Sequence, residues 1–501
     1  MKKFYYLLAA ALFVAASCEK SPVDQGTTDE GNVYMQFSVK MLSTRSQTDE
    51  NNGNSNSNAN PDTEVGKDYE NKISTVDIAL VKDDQYFVSK NVTIAEANTS
   101  TYVASFNSLD LKAGATYKVY IYANCKAPTN FDIDEKSSAT VASMTVANNF
   151  WMTNAYAAED VTLPTDLGMH TTPQTPFNLG THVVERSMAR FDYKPSDAFD
   201  MGAGLTLTLT DAALINQSRA HYMFRRVTTN SEIASTPIVG GVEKPTNWVI
   251  DTDWASKTKD GFDAQLESPA SWTWTPLASL KDKDYDNYNG EYKIWCYAKE
   301  NTIPGIDAQK HNVSTGVVFK AQITAGENAS QNVKDGLKSG ARIYVFNNKL
   351  YGTWAAVAAA ATAEGAEPTL AAAYKQAIVD MADKATDPVS AKAAAAGFTG
   401  YSAATDGNYY AYYYYWNRHN DNLNNNEMGI MEFAVVRNNV YKLAVNAINR
   451  FGHPTPPTGP TDPDPDPDPV VPDGPDESVN YYFNVTFKVL PWTVRINNIE
   501  F

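Results

Sequence analysis

The chain has 501 residues and a mass of 55.0 kDa, long enough for two or three domains with full cores. Its formal net charge is −17 with a sequence pI near 4.8, which argues against nucleic acid and anionic membrane surfaces as partners. Aromatic residues make up 12%, tyrosine alone numbers 29 and charged residues are only 20%, a mix that favours β-structure over helical bundles.

Residues 1–17 read as an export signal. Lys2 and Lys3 precede an apolar stretch from Phe4 to Ala16 that is too short to span a bilayer. It ends in Ala15-Ala16-Ser17-Cys18, small residues before a cysteine, so the expectation is a lipoprotein signal peptide cut before Cys18, with the lipid on that cysteine. An ordinary signal peptide with a chance cysteine is the other reading. No later apolar run is long enough for a membrane span, so lipid is the expected anchor.

After a polar spacer, Val33, Met35, Phe37, Val39 and Met41 stand at every second position, the period of a strand with one buried face. The run from Gln47 to Asn60 offers almost nothing apolar to offset the entropy of ordering it and reads as a tether. Between strand and tether stands Arg45, the first arginine of the chain, with Arg186 the next. An arginine-specific protease is expected to find one exposed target there, at Arg45-Ser46, and to cut the strand from everything after it. Lys40 alternates within the strand, and Lys67 would demand another specificity.

From Ile73 to about Phe191 come short alternating or aromatic runs: Val76 to Val81, Tyr86 to Ser89, Tyr102 to Leu111, Tyr117 to Ala123, Ala139 to Val146 and Thr181 to Phe191. This spacing, with little helical period, reads as a β-sandwich. A second set follows in Leu205 to Leu209, Ala220 to Val227, Glu291 to Ala298, Val317 to Ile323, Arg342 to Phe346, Met431 to Val436 and Val440 to Ala447. Alanine-rich sequence between Trp354 and Gly397 predicts helices inserted in a loop of the second sandwich. Cys125 and Cys296 lie in separate strand-like runs and are expected as buried free thiols.

Residues 454–478 contain the repeat from Asp462 to Pro469, an extended acidic linker in this reading. One carboxylate at every second residue of a stiff chain does not converge on an ion, so linker is preferred to a calcium site. Beyond it Tyr481, Phe483, Val485, Phe487 and Val489 alternate as the first strand does. Pro491 interrupts, and Trp492, Val494 and Ile496 alternate again before the chain ends at Phe501. This segment, 479–501, has the pattern of a strand made for insertion.

Enzyme constellations are missing: the six histidines give no zinc-type spacing, and neither a phosphate loop nor a nucleophile elbow is present. No catalytic residue, metal or cofactor is expected. The polar aromatic cluster from Tyr409 to Asn422 has two readings. Its aromatics beside Arg418, His419 and Asp421 suggest a glycan platform; a strand leading into an Asx-rich turn is preferred.

Cys18, Ser43-Thr44-Arg45, Met188-Ala189-Arg190-Phe191-Asp192-Tyr193, Glu300-Asn301-Thr302, Tyr414-Tyr415-Trp416-Asn417-Arg418-His419-Asn420-Asp421, Arg437-Asn438-Asn439-Val440-Tyr441-Lys442-Leu443 and Val489-Leu490-Pro491-Trp492-Thr493-Val494 together resemble the major fimbrillin of short, Mfa-type fimbriae, the type V pili of Bacteroidia. The resemblance runs from Cys18 to Phe501. It implies an all-β fold of two transthyretin-like β-sandwich domains with a helical insertion in the second. The implied division is a propeptide 18–45, an N-terminal domain 46–188 and a C-terminal domain 189–501, the last holding the insertion 354–397, the linker 454–478 and the donor segment 479–501. It further implies an outer-membrane lipoprotein precursor, cleavage by an arginine-specific protease at Arg45-Ser46, and a mature form in extracellular fimbriae. Partners would be other copies of the chain in a linear homopolymer, accessory tip and anchor fimbrillins, and host or bacterial surface receptors.

Residue chemistry supplies a reason for such a mechanism. Removing the strand of Val33, Met35, Phe37, Val39 and Met41 would open an apolar groove and an unpaired sheet edge, a template for a strand of matching pattern. Refilling it with four or five large side chains is worth roughly 8–12 kcal/mol before ordering costs. A resident strand offers the same contacts, so proteolysis removes the competitor. The expected function is a non-enzymatic stalk subunit polymerising by protease-triggered strand exchange and supporting adhesion. The alternatives are a monomeric surface glycan-binding lipoprotein, or a tip or anchor subunit of the same pilus.

Overall fold

The computed structural model describes residues 21–22, 31–41, 64, 66–83, 85–95, 101–229, 236–241, 247–257, 271–287, 290–303, 313–384, 386–388, 390–420, 429–456 and 483–491. The expected all-β class holds: strands dominate and the sheets curl into sandwich-like layers. Among the described residues no helix is long and apolar enough to cross a membrane.

The first sheet has ten strands. Its principal members are β1 (Asn32–Met41), β2 (Val76–Lys82), β3 (Gln85–Ser89), β4 (Thr101–Asn107), β5 (Thr116–Ala123), β6 (Met152–Asn154) and β7 (Phe177–Arg186). The order is Ser21–Pro22, β3, β2, β5, β6, β7, β1, β4 and Thr93–Ile94, with Asp160–Thr162 against β5. On the inner face of the sheet, Ile78 and Leu80 of β2, Val119 of β5 and Tyr102 and Phe106 of β4 share a core with the inward side chains of β1.

The chain leaves this sheet at Arg186 and enters another at β8 (Ala189–Lys194). The run Thr181 to Phe191 is therefore two strands in different sheets, turned at Ser187-Met188. With β9 (Phe199–Gly202), β10 (Leu205–Ile215), β11 (Lys293–Ala298), β12 (Gly316–Ala325), β13 (Tyr409–Trp416), β14 (Asn439–Ile448) and β15 (Phe483–Pro491), two further sheets form, in the orders β11-β8-β14-β15 and β9-β10-β12-β13. They share one core, across which Tyr193 meets Phe319 with ring centroids 5.8 Å apart.

The two halves repeat one arrangement. β1 pairs in parallel with β7 and antiparallel with β4; β8 pairs in parallel with β14 and antiparallel with β11. A parallel pair needs a long crossover, and in both halves the whole intervening chain provides it.

Other expectations need correcting. Ala139 to Val146 holds a short helix, Val141–Met144, because the Thr140 hydroxyl accepts from the Ser143 amide at 3.2 Å and starts a turn, leaving only Thr145–Val146 as strand. Tyr102 to Leu111 stops as strand at Asn107, whose side chain accepts from the Leu109 amide in a turn. Ala220 to Val227 contains two two-residue strands, and Met431 to Val436 is a buried turn with one isolated bridge between Asn301 and Val435. Cys125 is buried and Cys296 only half-buried; both are free.

The alanine-rich stretch is helical as expected, in three pieces, Trp354–Thr362, Pro368–Ala377 and Ser390–Ala395. Thr353 caps the first, proline opens the second, and Trp354, Tyr374 and Phe398 form their common core with Tyr344.

A candidate assembly site in the first-strand groove and the C-terminal strand

β1 is an interior strand. Asn32 to Ser38 pair with Asn107 to Thr101 of β4, and Met35 to Met41 run beside Phe177 to Val184 of β7. The ladder to β7 is broken by a bulge between Asn178 and Thr181, where Gly180 takes a φ of 95°, open to glycine at little cost. Val33, Met35 and Phe37 are fully buried, Val39 nearly so, and Met41 is half-buried at the end of the strand. Phe37 stacks on Tyr102 at 5.9 Å and leans on His182 at 6.4 Å. At about 1.5–3 kcal/mol for each large apolar side chain, the four buried ones represent about 6–12 kcal/mol of burial.

His182 meets Phe37 from the β7 side of the groove. Its Nε2 is buried without a partner among the described residues, and Nδ1 lies 3.9 Å from a Glu159 carboxylate oxygen. Burial pulls its pKa below the ordinary value, opposed by Glu159 and by the Leu179 backbone. A histidine depressed in the folded state keeps its stabilising contribution above the unfolded value of about 6.5 and loses it progressively as pH falls from there through its lower folded value. His221, held down to about 3 by burial and by Arg437 and Lys299, acts in the same direction. The urea midpoint of the precursor is therefore expected to fall between pH 7 and pH 5, with a limiting slope of about 1.4 kcal/mol per pH unit for each histidine. His182→Gln is expected to flatten that dependence; an unchanged slope in the variant would remove His182 from the account.

Beyond Met41 the chain next appears at Glu64, in the interior of the second half. Arg190 of β8 bonds Glu70 Oε2 at 2.8 Å, Asp192 through two nitrogens at 2.8 and 2.9 Å, and Glu64 Oε1 at 3.1 Å. Lys442 of β14 meets Glu64 at 3.3 Å, Asp192 at 3.1 Å and Asp286. All six groups are buried. Glu64, Asp192 and Asp286 converge as metal ligands would, but the Lys442 ammonium bonds all three. Burial alone would raise the pKa of Glu64; Arg190 and Lys442 outweigh it and hold the group below its ordinary value. The segment that follows the tether is thus fixed to the second sandwich by buried charge-assisted bonds.

Cys18, Arg45 and Ser46 lie outside the described residues, as do Tyr481, Trp492, Val494 and Ile496 and most of the 454–478 linker. Of the later arginines, Arg186, Arg190, Arg225, Arg418 and Arg437 are buried, closed to a protease as the chain stands. Arg219 and Arg450 are exposed, so Arg45 is not the sole accessible arginine; exposure alone does not select it.

β15 carries Phe483, Val485, Phe487 and Val489 in its backbone ladder. It runs antiparallel to β14, from Phe483 opposite Ile448 to Pro491 opposite Asn439, and among the described residues it forms the edge of its sheet. An edge strand is held by one ladder, where β1 is held by two.

The remaining motif residues are interior fasteners. Arg437 bonds Glu300 at 2.7 Å, and Asn301 Nδ2 donates to Asn216 O, Val313 O and Thr315 Oγ1 at 2.8–3.0 Å. Tyr441 Oη meets His419 Nδ1 at 2.9 Å and accepts from the Val436 amide at 2.8 Å. Arg418 pairs with Glu432 at 2.6 Å. Arg418 and His419 are 5% and 6% exposed, which withdraws both from a surface glycan platform; Asp421 lies outside the described residues. Sequence reasoning missed Glu64, Glu70 and His182, since each stands alone in the chain and meets its partners only through the fold.

Comparison with known proteins gives three results. No curated protein matches the chain. Among solved structures it is similar to a fimbrilin (fimA) from Porphyromonas gingivalis, at 12% identity and TM-score 0.39 over 94% of this chain and 100% of that one. It is also similar to the tip fimbrial protein Mfa3 from the same organism, at 9% identity and TM-score 0.32 over 83% and 95%. Residues 407–498, which contain β13, β14 and β15, match the family model described as major fimbrial subunit protein type IV, fimbrillin, C-terminal, so over that segment the chain carries the fimbrillin pattern.

Proposed function

We propose that the chain is the stalk subunit of a cell-surface fimbria, exported as a lipoprotein, cut at Arg45-Ser46 and polymerised by insertion of one copy's C-terminal strand into the groove that β1 leaves in the next. The observation that carries this reading is the contrast between the two terminal strands. β1 fills the middle of a sheet with four buried side chains, whereas β15 borders a sheet and lies in the segment that carries the fimbrillin pattern. In this reading residues 1–17 are the signal peptide and 18–45 a propeptide holding the lipid on Cys18 and the displaced strand. Residues 46–188 and 189–501 are the two sandwich domains of the mature subunit, and Tyr481, Phe483, Val485, Phe487 and Val489, or Trp492, Val494 and Ile496, supply the donor side chains. Other copies of the chain, tip and anchor fimbrillins and an arginine-specific protease are its partners; catalysis and a cofactor have no part in it.

The ionic network around Glu64 supports the order of events. It holds the chain after the tether to the second sandwich, so a cut at Arg45 detaches β1 and leaves the rest of the fold in place. N-terminal sequencing of surface material is the test. Subunits that begin at Ser46 are expected; fibres whose subunits all retain the residues before Arg45 contradict the reading.

A further inference from the structure

We propose that the donor strand enters the groove in the direction of β1, and that the end of the first sandwich carrying Leu109 and Met169 is the surface on which the next copy of the chain seats. This rests on the strand-exchange reading above and goes on to fix its polarity.

The groove has two unlike ends. At the end where β1 finishes, beside Met41 and Val184, the second sandwich is already in place. Val440 of β14 is part of the first core, Tyr297 packs on Phe150 at 5.2 Å and bonds Glu70 at 2.6 Å, and Arg186 bonds Asn438 at 3.2 Å. A donor running against β1 would have to bring its own subunit up to that junction.

Among the described residues, the end where β1 begins has no such cover. There the Ser108 amide donates to Gly31 O at 2.7 Å, the loop 108–115 meets the loop 163–176 through Gly114 N to Pro164 O at 3.0 Å and Leu163 N to Ala115 O at 2.8 Å, and the turn Leu167–His170 lies against β1. These two loops present Leu109 and Met169, 86% and 69% exposed, the two most exposed large hydrophobic residues among those described. Asp166 is the only acid in 163–176, and that loop has no lysine or arginine. With Asp110 and Lys112 in the other loop, the two loops together carry a net charge of −1. In a chain of net charge −17, so nearly neutral an apolar surface is where a second copy approaches with least repulsion. A donor parallel to β7 and antiparallel to β4, as β1 is, emerges at this end and delivers its subunit onto Leu109 and Met169.

β1 has ten residues and spans about 33 Å, so the two directions differ by a distance that spin labels resolve. The experiment uses the full precursor in a Cys18→Ser, Cys125→Ser, Cys296→Ser background. Leu109→Cys is combined with Asn480→Cys in one chain and with Phe501→Cys in another, and pulsed EPR distances are compared before and after cleavage into fibres. Assembly is expected to add a short distance for the 109/480 pair and to leave the 109/501 pair about 30 Å apart or more. Fibres in which the 109/501 pair comes close, or neither does, overturn the direction; a native chain that gives no fibres at all overturns the strand-exchange reading instead. Leu109→Lys with Met169→Lys tests the surface, with growth expected to slow by about tenfold or more while the uncut monomer stays folded. Growth at the native rate would overturn the seat.

Discussion

Replacing Arg45 by alanine is expected to leave the precursor folded and lipidated and to reduce fibre growth to background. The residue follows the last apolar position of β1 and precedes an asparagine-rich run, so a protease can extend the backbone there without opening a sheet. A substitution at such a position changes stability by about 0.5 kcal/mol or less. The effect on assembly is large for a different reason. β1 stays covalently attached to the groove that its own side chains fill, and an incoming strand offering the same contacts gains nothing by displacing it. The readouts are N-terminal sequencing of surface material and fibre imaging. Fibres of ordinary length built from Arg45→Ala subunits that retain β1 would show that strand removal is not the trigger; normal cutting at Arg219 or Arg450 in the variant would show that the protease chooses elsewhere.

Deleting residues 479–501 is expected to abolish donation while leaving acceptance intact. The truncated subunit keeps β4 and β7, the walls of the groove, and loses β15 and everything after it. β14 then becomes the edge of its sheet, so some loss of stability accompanies the loss of function. Because such a subunit accepts a donor and passes none on, it ends any chain it joins. Mixed with intact subunits and cut together, it should shorten fibres in inverse proportion to its fraction. Fibres of normal length from the truncated protein alone would place the donor elsewhere in the chain.

The parts of this account that were legible in the sequence share a physical property. β1 could be read because one face is buried along its whole length, which imposes a strict period of two from Val33 to Met41. The helices after Trp354 could be read because alanine runs have high helix propensity whatever they pack against. Thr181 to Phe191 misled because the chain stays buried through Glu185-Arg186-Ser187-Met188 while it leaves one sheet for another, and no turn residue such as glycine or proline marks the change of sheet. Ala139 to Val146 misled because a short run of that kind fits strand or helix until its cap is known. The ionic network was illegible for a stronger reason: Lys442 and Glu64 are 378 positions apart, and no local pattern links a buried cation to carboxylates from three distant segments. Within the candidate site, the apolar alternation of both terminal strands was visible in the sequence. The difference that matters between them, interior against edge, exists only in the sheet order.

The most direct test of the central claim is electron microscopy of the purified precursor before and after treatment with an arginine-specific protease, with light scattering on the same samples. The uncut chain should be monomeric, since β1 already occupies its groove, and cleavage alone should produce long unbranched fibres whose subunits lack β1. Long fibres from intact precursor, or only monomers from fully cut material, would contradict it.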